Sequence, residues 1–242
     1  MQQLGFTRSS YQRDHILHTP DAFVRAALPG MRNGTAIVHT TPATGAAFTQ
    51  YTVEFSSGGS FQLSLAQSFV YVLDGEITVN KHTLRRDQFA YRPESITSTD
   101  GSRAIIIEKP RVGSEPLPDP FIGNERSVTP EPLGGDPTLQ VRPLIPADFA
   151  FDFAVNTLSF DPGASLPMVE VHSMEHGLLM LDGGGIYRLG NHWYPVTAGD
   201  FIWMAAYCPQ WFGCIGKSPA RYLIYKNWNR HPLSEAGLFP LR

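Results

Sequence analysis

Cysteine is nearly absent from this chain, with only Cys208 and Cys214 among 242 residues. That count excludes a disulfide framework. Because the two are not spaced as C-x-x-C, they read as small buried residues beside a strand rather than a redox pair. Charge is thin as well: 17% of residues are Asp, Glu, Lys or Arg, the formal net charge is −3, and no block of like charges occurs. Such a chain offers little to a phosphate backbone, so nucleic acid is not an expected partner. No run approaches the roughly 18 apolar residues of a membrane span. The opening stretch MQQLGFTRSSYQRDHILHT also lacks the basic start, apolar core and small-residue cleavage site of a secretion signal. The expectation is a mature, soluble, cytoplasmic protein without a membrane partner.

Long helical periodicity is missing too. Apolar residues come in short runs, TAIVHTT, YTVEF, FVYVL and RAIIIE, then VNTLSF, LLMLD, FIWMAA and ARYLIY. Runs of about five, punctuated by a chain-wide 22 glycines and 20 prolines, are the lengths of strands in a sandwich or barrel. Only Thr19-Pro20-Asp21-Ala22 and the last residues suit a helical turn. The fold class is therefore all-β.

The length suits two domains of about half the chain each, given a usual domain of roughly 100 to 150 residues. Between Lys109 and Leu139 stand prolines 110, 116, 118, 120, 130, 132 and 137. Since proline removes donors and fixes φ, regular structure is not expected to persist there. Residues 110–139 are expected to be an extended connector. They would separate an N-terminal domain over 1–109, arm included, from a C-terminal domain over 140–242.

The two flanks share an internal repeat. Val53-Glu54-Phe55-Ser56-Ser57-Gly58 answers Leu158-Ser159-Phe160-Asp161-Pro162-Gly163, and Val72-Leu73-Asp74-Gly75 answers Met180-Leu181-Asp182-Gly183. Arg86-Asp87-Gln88-Phe89 answers Gly199-Asp200-Phe201-Ile202 after a longer loop.

Chemistry concentrates in the second copy, in Met168-Val169-Glu170-Val171-His172-Ser173-Met174-Glu175-His176. Pro162, Pro167 and nearby glycines argue against helix. On a strand Glu170 and His172 share a face, and His176 returns to it if the phase holds, so three metal donors converge. Glu175 would face away and be solvated.

From Gly163 to Gly183 the text resembles the first cupin motif, G-x5-H-x-H-x3-E-x6-G, with one extra residue before the ligands. Glu170 stands for the first His, His172 keeps the second, and His176 stands for the Glu. From Gly199 to Gln210 the spacing matches the second motif, G-x5-P-x-G-x2-H, with Gln210 in place of its His. The resemblance implies two tandem cupin (double-stranded β-helix, or jelly-roll) barrels, a bicupin. This Glu, His, His, Gln set, with HTPDAFVRAALPG at 18–30, LSFDPGAS at 158–165 and LGNHWYPVTAGDFIWMAAY at 189–207, is similar to the (S)-ureidoglycine aminohydrolase family.

That resemblance implies a Mn(II) enzyme of purine and allantoin degradation that hydrolyses (S)-ureidoglycine to (S)-ureidoglycolate and ammonia. It carries metal ligation onto Glu170, His172, His176 and Gln210, and contact with the small-molecule substrate onto Tyr187, Tyr222 and Lys226. A shell of two imidazoles, a carboxylate and an amide without thiolate suits Mn(II) or Fe(II). With a divalent ion and one anionic ligand the site keeps a formal charge of +1, which favours an anionic substrate, and Lys226 beside the ion would have a lowered pKa. The first copy offers only Gln62, Ser64, Ser68 and Thr97 at the corresponding positions, so a metal-free structural barrel is expected there. A homo-oligomer is also expected. Two alternatives stay open: an iron-dependent cupin dioxygenase, and a binding bicupin without catalysis.

Overall fold

The computed structural model describes residues 6–63, 67–111 and 116–228. Two compact units result, Val24–Val128 and the described parts of Met1–Phe23 together with Thr129–Arg242. Both are built from strands, and each of the eight apolar runs of the sequence lies wholly or mostly on one. No helix among the described residues is long and apolar enough to cross a membrane.

An N-terminal arm supplies β1 (Ser10–Tyr11) and β2 (His15–His18), followed by the expected helical turn as a 3-10 turn at Pro20–Ala22. The Val24–Val128 unit holds β3 (Arg32–Thr40), β4 (Thr49–Gln62), β5 (Gln67–Val79), β6 (His82–Arg85), β7 (Gln88–Tyr91), β8 (Ser95–Ser98), β9 (Ser102–Lys109) and β10 (Phe121–Asn124). Its sheet runs β10-β7-β5-β8-β4-β3, with β6 on β5 and β9 paired to both β4 and β5. Alternate residues fill its core, among them Tyr51, Val53 and Phe55 of β4, Val70 and Val72 of β5, and Ala104 and Ile106 of β9. At the positions answering the ligand set, Gln62 and Thr97 are exposed and Ser68 donates from Oγ to the Pro93 carbonyl (3.3 Å). Ser64 lies outside the described residues.

The second unit continues with β11 (Glu131–Leu133), β12 (Asp136–Pro143), β13 (Ala154–Phe160), β14 (His176–Asp182), β15 (Gly184–Leu189), β16 (His192–Thr197), β17 (Phe201–Met204), β18 (Gln210–Cys214) and β19 (Ala220–Lys226). One sheet runs β1-β2-β17-β14-β19-β13-β12-β11 and a smaller one β16-β15-β18. Leu158, Phe160, Leu178, Met180, Ile202 and Phe212 from the two sheets share one core cluster.

The repeat is visible as backbone. Gly75 and Gly183 both take positive φ (69° and 67°) directly after a register shift, between Val72 and Asp74 in one copy and between Met180 and Asp182 in the other. Neither has room for a side chain, since a Cβ would come within 2.5 Å of the Gly101 carbonyl oxygen or 2.3 Å of that of Pro219. Glycine is thus required twice, by conformation and by space.

Two expectations about boundaries fail. The arm joins the C-terminal unit, not the N-terminal one: β2 pairs antiparallel with β17, from Phe201 opposite His18 to Met204 opposite His15. Arg8 locks it there, donating from both terminal nitrogens to the fully buried Asp200 carboxylate at 2.8 and 2.7 Å. The proline-rich connector is also not devoid of structure. Phe121–Asn124 is free of proline and pairs with β7, while Pro132 sits in β11, the last strand of its sheet, where a missing donor costs no ladder bond.

Candidate metal and substrate site

Strand alternation decides which side chains meet. In β14 and β19 the core residues are Leu178 and Met180, and Tyr222 and Ile224. The same parity brings His176 and Lys226 to the inner face at the strand ends, where they are register partners. In β15 and β18 the core residues Tyr187, Leu189, Phe212 and Cys214 put Gln210 on that face too.

Glu170 and His172 arrive differently from the expectation. The 170–176 stretch is not a continuous strand; Glu170 forms an isolated bridge with Gln210, residues 171–175 are irregular, and His176 opens β14. A reciprocal pair replaces strand phase as the positioning device: Glu170 N–H to the Gln210 carbonyl at 2.8 Å, and Gln210 N–H to the Glu170 carbonyl at 2.9 Å. The Tyr207 N–H then holds the His172 carbonyl at 2.6 Å. Tyr207 occupies the second motif's glycine position and adopts the left-handed backbone of that position, with φ 64°. Glu175, expected in solvent, is buried and accepts a hydrogen bond from Trp203 Nε1 (3.1 Å), because the irregular backbone does not keep strand alternation.

Glu170, His172, His176, Gln210, Tyr187, Tyr222 and Lys226 all line one cavity of about 140 Å³. His172 Nε2 lies 3.1 Å from Glu170 Oε2, the His172 and His176 ring centroids are 5.1 Å apart, and the Tyr187 hydroxyl donates to Gln210 Oε1 at 3.3 Å. Leu133, Val141, Leu158, Leu166 and Ile224 form the apolar wall.

A cupin-domain family matches residues 156–225. Over 95% of this chain, an Oryza sativa subsp. japonica protein named "Probable (S)-ureidoglycine aminohydrolase" is 40% identical, and an Arabidopsis thaliana protein named (S)-ureidoglycine aminohydrolase is 39% identical. The matches take in 78% and 80% of those two proteins. The chain belongs to the (S)-ureidoglycine aminohydrolase family. The crystal structure of Escherichia coli protein Ylba superposes with a TM-score of 0.80 at 29% identity, over 93% of this chain and 95% of that one.

Within this aminohydrolase-family chain, burial is the largest influence on four of the site's titratable groups, His176, Lys226, Tyr187 and Tyr222. It holds the His176 imidazole well below its ordinary value, with Lys226 and then His172 adding to the effect. The neutral form is the one that ligates metal. Burial also lowers Lys226, opposed by the Glu170 carboxylate, so the expected direction holds without any ion and desolvation is the cause. Tyr187 is pushed up by burial and then by Glu170, and Tyr222 by burial, Tyr187 and Glu170. Both phenols are therefore hydrogen-bond donors rather than bases. The donor set, two imidazoles with carboxylate and amide oxygens and no thiolate, fits an N/O-liganded divalent ion. Sequence reasoning missed the apolar wall. Leu133 belongs to β11 in the connector, and nothing in its local sequence marks a cavity-lining residue.

Proposed function

We propose that this protein hydrolyses (S)-ureidoglycine to (S)-ureidoglycolate and ammonia, as a step of allantoin and purine degradation, using Mn(II) held by Glu170, His172, His176 and Gln210. The observation that carries the reading is the opening of those four donors, two phenols and one lysine onto a single small cavity. When bound, the ion supplies Lewis-acid charge for an anionic substrate and for water activation.

The chain's own groups then have distinct tasks. Tyr222 donates from its hydroxyl to the ureido oxygen, and Tyr187 keeps Gln210 oriented through Oε1. Leu133, Val141 and Ile224 keep bulk water off the opposite side of the substrate. Lys226, its ammonium destabilised by burial, moves a proton at Nζ between the attacking water and the departing amine. The balance is one water consumed, the C–N bond broken, a C–O bond formed and ammonia released.

The test is ammonia release from freshly generated ureidoglycine, together with metal analysis. Lys226→Met is expected to abolish most turnover while retaining the ion. Normal turnover in that variant would remove the proton-transfer role. Dioxygen consumption without ammonia release would replace the hydrolase with a dioxygenase.

A further inference from the structure

A second group of donors lies outside the cavity described above. Among the described residues, one trio of His, Cys, Asp or Glu side chains brings a ligand atom from each within 4.8 Å of the other two: Asp14, His15 and Cys208. The three come from distant parts of the chain. Asp14 and His15 belong to the N-terminal arm, whereas Cys208 lies in the turn before β18. Backbone bonds fix this approach, with Ala205 N–H on the Asp14 carbonyl at 2.9 Å and Cys208 N–H on the Ala205 carbonyl at 3.1 Å. The turn at Gly190 leaves space for the carboxylate, since a Cβ there would come within 3.0 Å of Asp14 Oδ2.

A fourth donor stands beside the trio. The exposed His192 ring is 5.5 Å from the His15 ring, centroid to centroid. His15 is buried, and its two nitrogens are already differentiated. Nδ1 faces Asp14 Oδ1 at 2.8 Å, and Nε2 is 2.9 Å from the Tyr194 hydroxyl, which in turn shares a hydrogen bond with Ser10 Oγ at 3.1 Å. A histidine that ligates through one nitrogen while the other is held by a hydrogen-bonding group is the arrangement metal sites use to fix ring orientation.

We propose that Asp14, His15 and Cys208, with His192 as fourth ligand, form a second metal site of zinc type, separate from the Glu170 site. Thiolate, imidazole and carboxylate together are donors that zinc takes in tetrahedral array, with Zn–S about 2.3 Å and Zn–N about 2.0 Å. Those bond lengths put ligand atoms about 3.2 to 3.8 Å apart, so the Asp14–His15 pair at 2.8 Å opens slightly, and every separation in the trio already lies within 4.8 Å. Metal entry opens the Asp14–His15 hydrogen bond, sends the Cys208 proton to solvent and ties the arm to the turn that carries Gln210.

Cobalt(II) titration of the purified full-length protein tests this. The Glu170 site contains no sulfur, and the chain has only two cysteines. A near-ultraviolet thiolate-to-cobalt charge-transfer band therefore reports on Cys208 or Cys214 alone. The expected result is a band whose final amplitude corresponds to about one thiolate-bound cobalt per chain, whatever cobalt the Glu170 site also takes up. It should be displaced by zinc, kept in Cys214→Ser and lost in Cys208→Ser. A cobalt-saturated wild-type protein without the band overturns the proposal without relying on any variant. So does a band that survives Cys208→Ser.

Discussion

Removing the Tyr187 hydroxyl separates two roles that one side chain could play. Tyr187 is 1% exposed and its ring lies 5.5 Å from that of Phe212, so Tyr187→Phe keeps the packing and deletes only the bond to Gln210 Oε1. At 3.3 Å that bond is longer than the 2.7–2.8 Å typical of hydroxyl donors, which puts it in the lower half of the neutral range, about 0.5–1 kcal/mol. If the bond orients Gln210 for the ion, the cost appears as roughly two- to fivefold weaker metal binding. A chelator-competition titration with Mn(II), run beside steady-state kinetics, measures it. Unchanged metal affinity with a raised KM would refute the reasoning and move the hydroxyl onto the substrate.

Three other perturbations follow from the geometry. Arg8→Ala leaves the fully buried Asp200 carboxylate, among the described residues, with the Thr197 N–H (2.9 Å) as its remaining donor. Because Arg8 is itself 39% exposed and screened, the expected loss is about 2 kcal/mol by denaturant unfolding, below the 3–5 of a wholly buried pair. Gly183→Ala and Gly163→Ala both place alanine at positive φ, which costs about 1–2 kcal/mol, but only position 183 adds a carbonyl oxygen at 2.3 Å. Equal melting temperatures for the two variants would contradict the crowding argument. His15 and His18 are both lowered from their ordinary value chiefly by burial. Their contribution to stability is therefore complete above about pH 6.5 and is lost as pH falls, because the unfolded chain takes up protons that the folded arm refuses. Thermal unfolding between pH 7.5 and 5.5 should show that decline, and His18→Leu should flatten it.

What the sequence made legible was local or repeated. The glycine pair 75 and 183 and the short apolar runs marked two similar barrels, because each records a backbone demand that neighbouring residues cannot hide. The ligand spacing was readable for a different reason from the one supposed. Glu170 reaches the site through its backbone pair with Gln210, and two motifs forty residues apart encode that single bridge. Glu175 was misread because alternation was extended across backbone that is not a strand. The arm was misassigned because pairing between His15–His18 and Phe201–Met204 leaves no trace in the composition of either segment. The approach of Cys208 to Asp14 and His15 was hidden by that same distance in sequence.

Strand β2 carries a consequence for biosynthesis. The strand that residues 15–18 finally join appears roughly 180 residues after them in synthesis. At about 5–20 residues per second the segment His-Ile-Leu-His waits on the order of ten seconds or more with its apolar side chains unclaimed, while an entire barrel is made behind it. Nascent chains of this protein are thus exposed to mispairing at this strand until Phe201–Met204 is made.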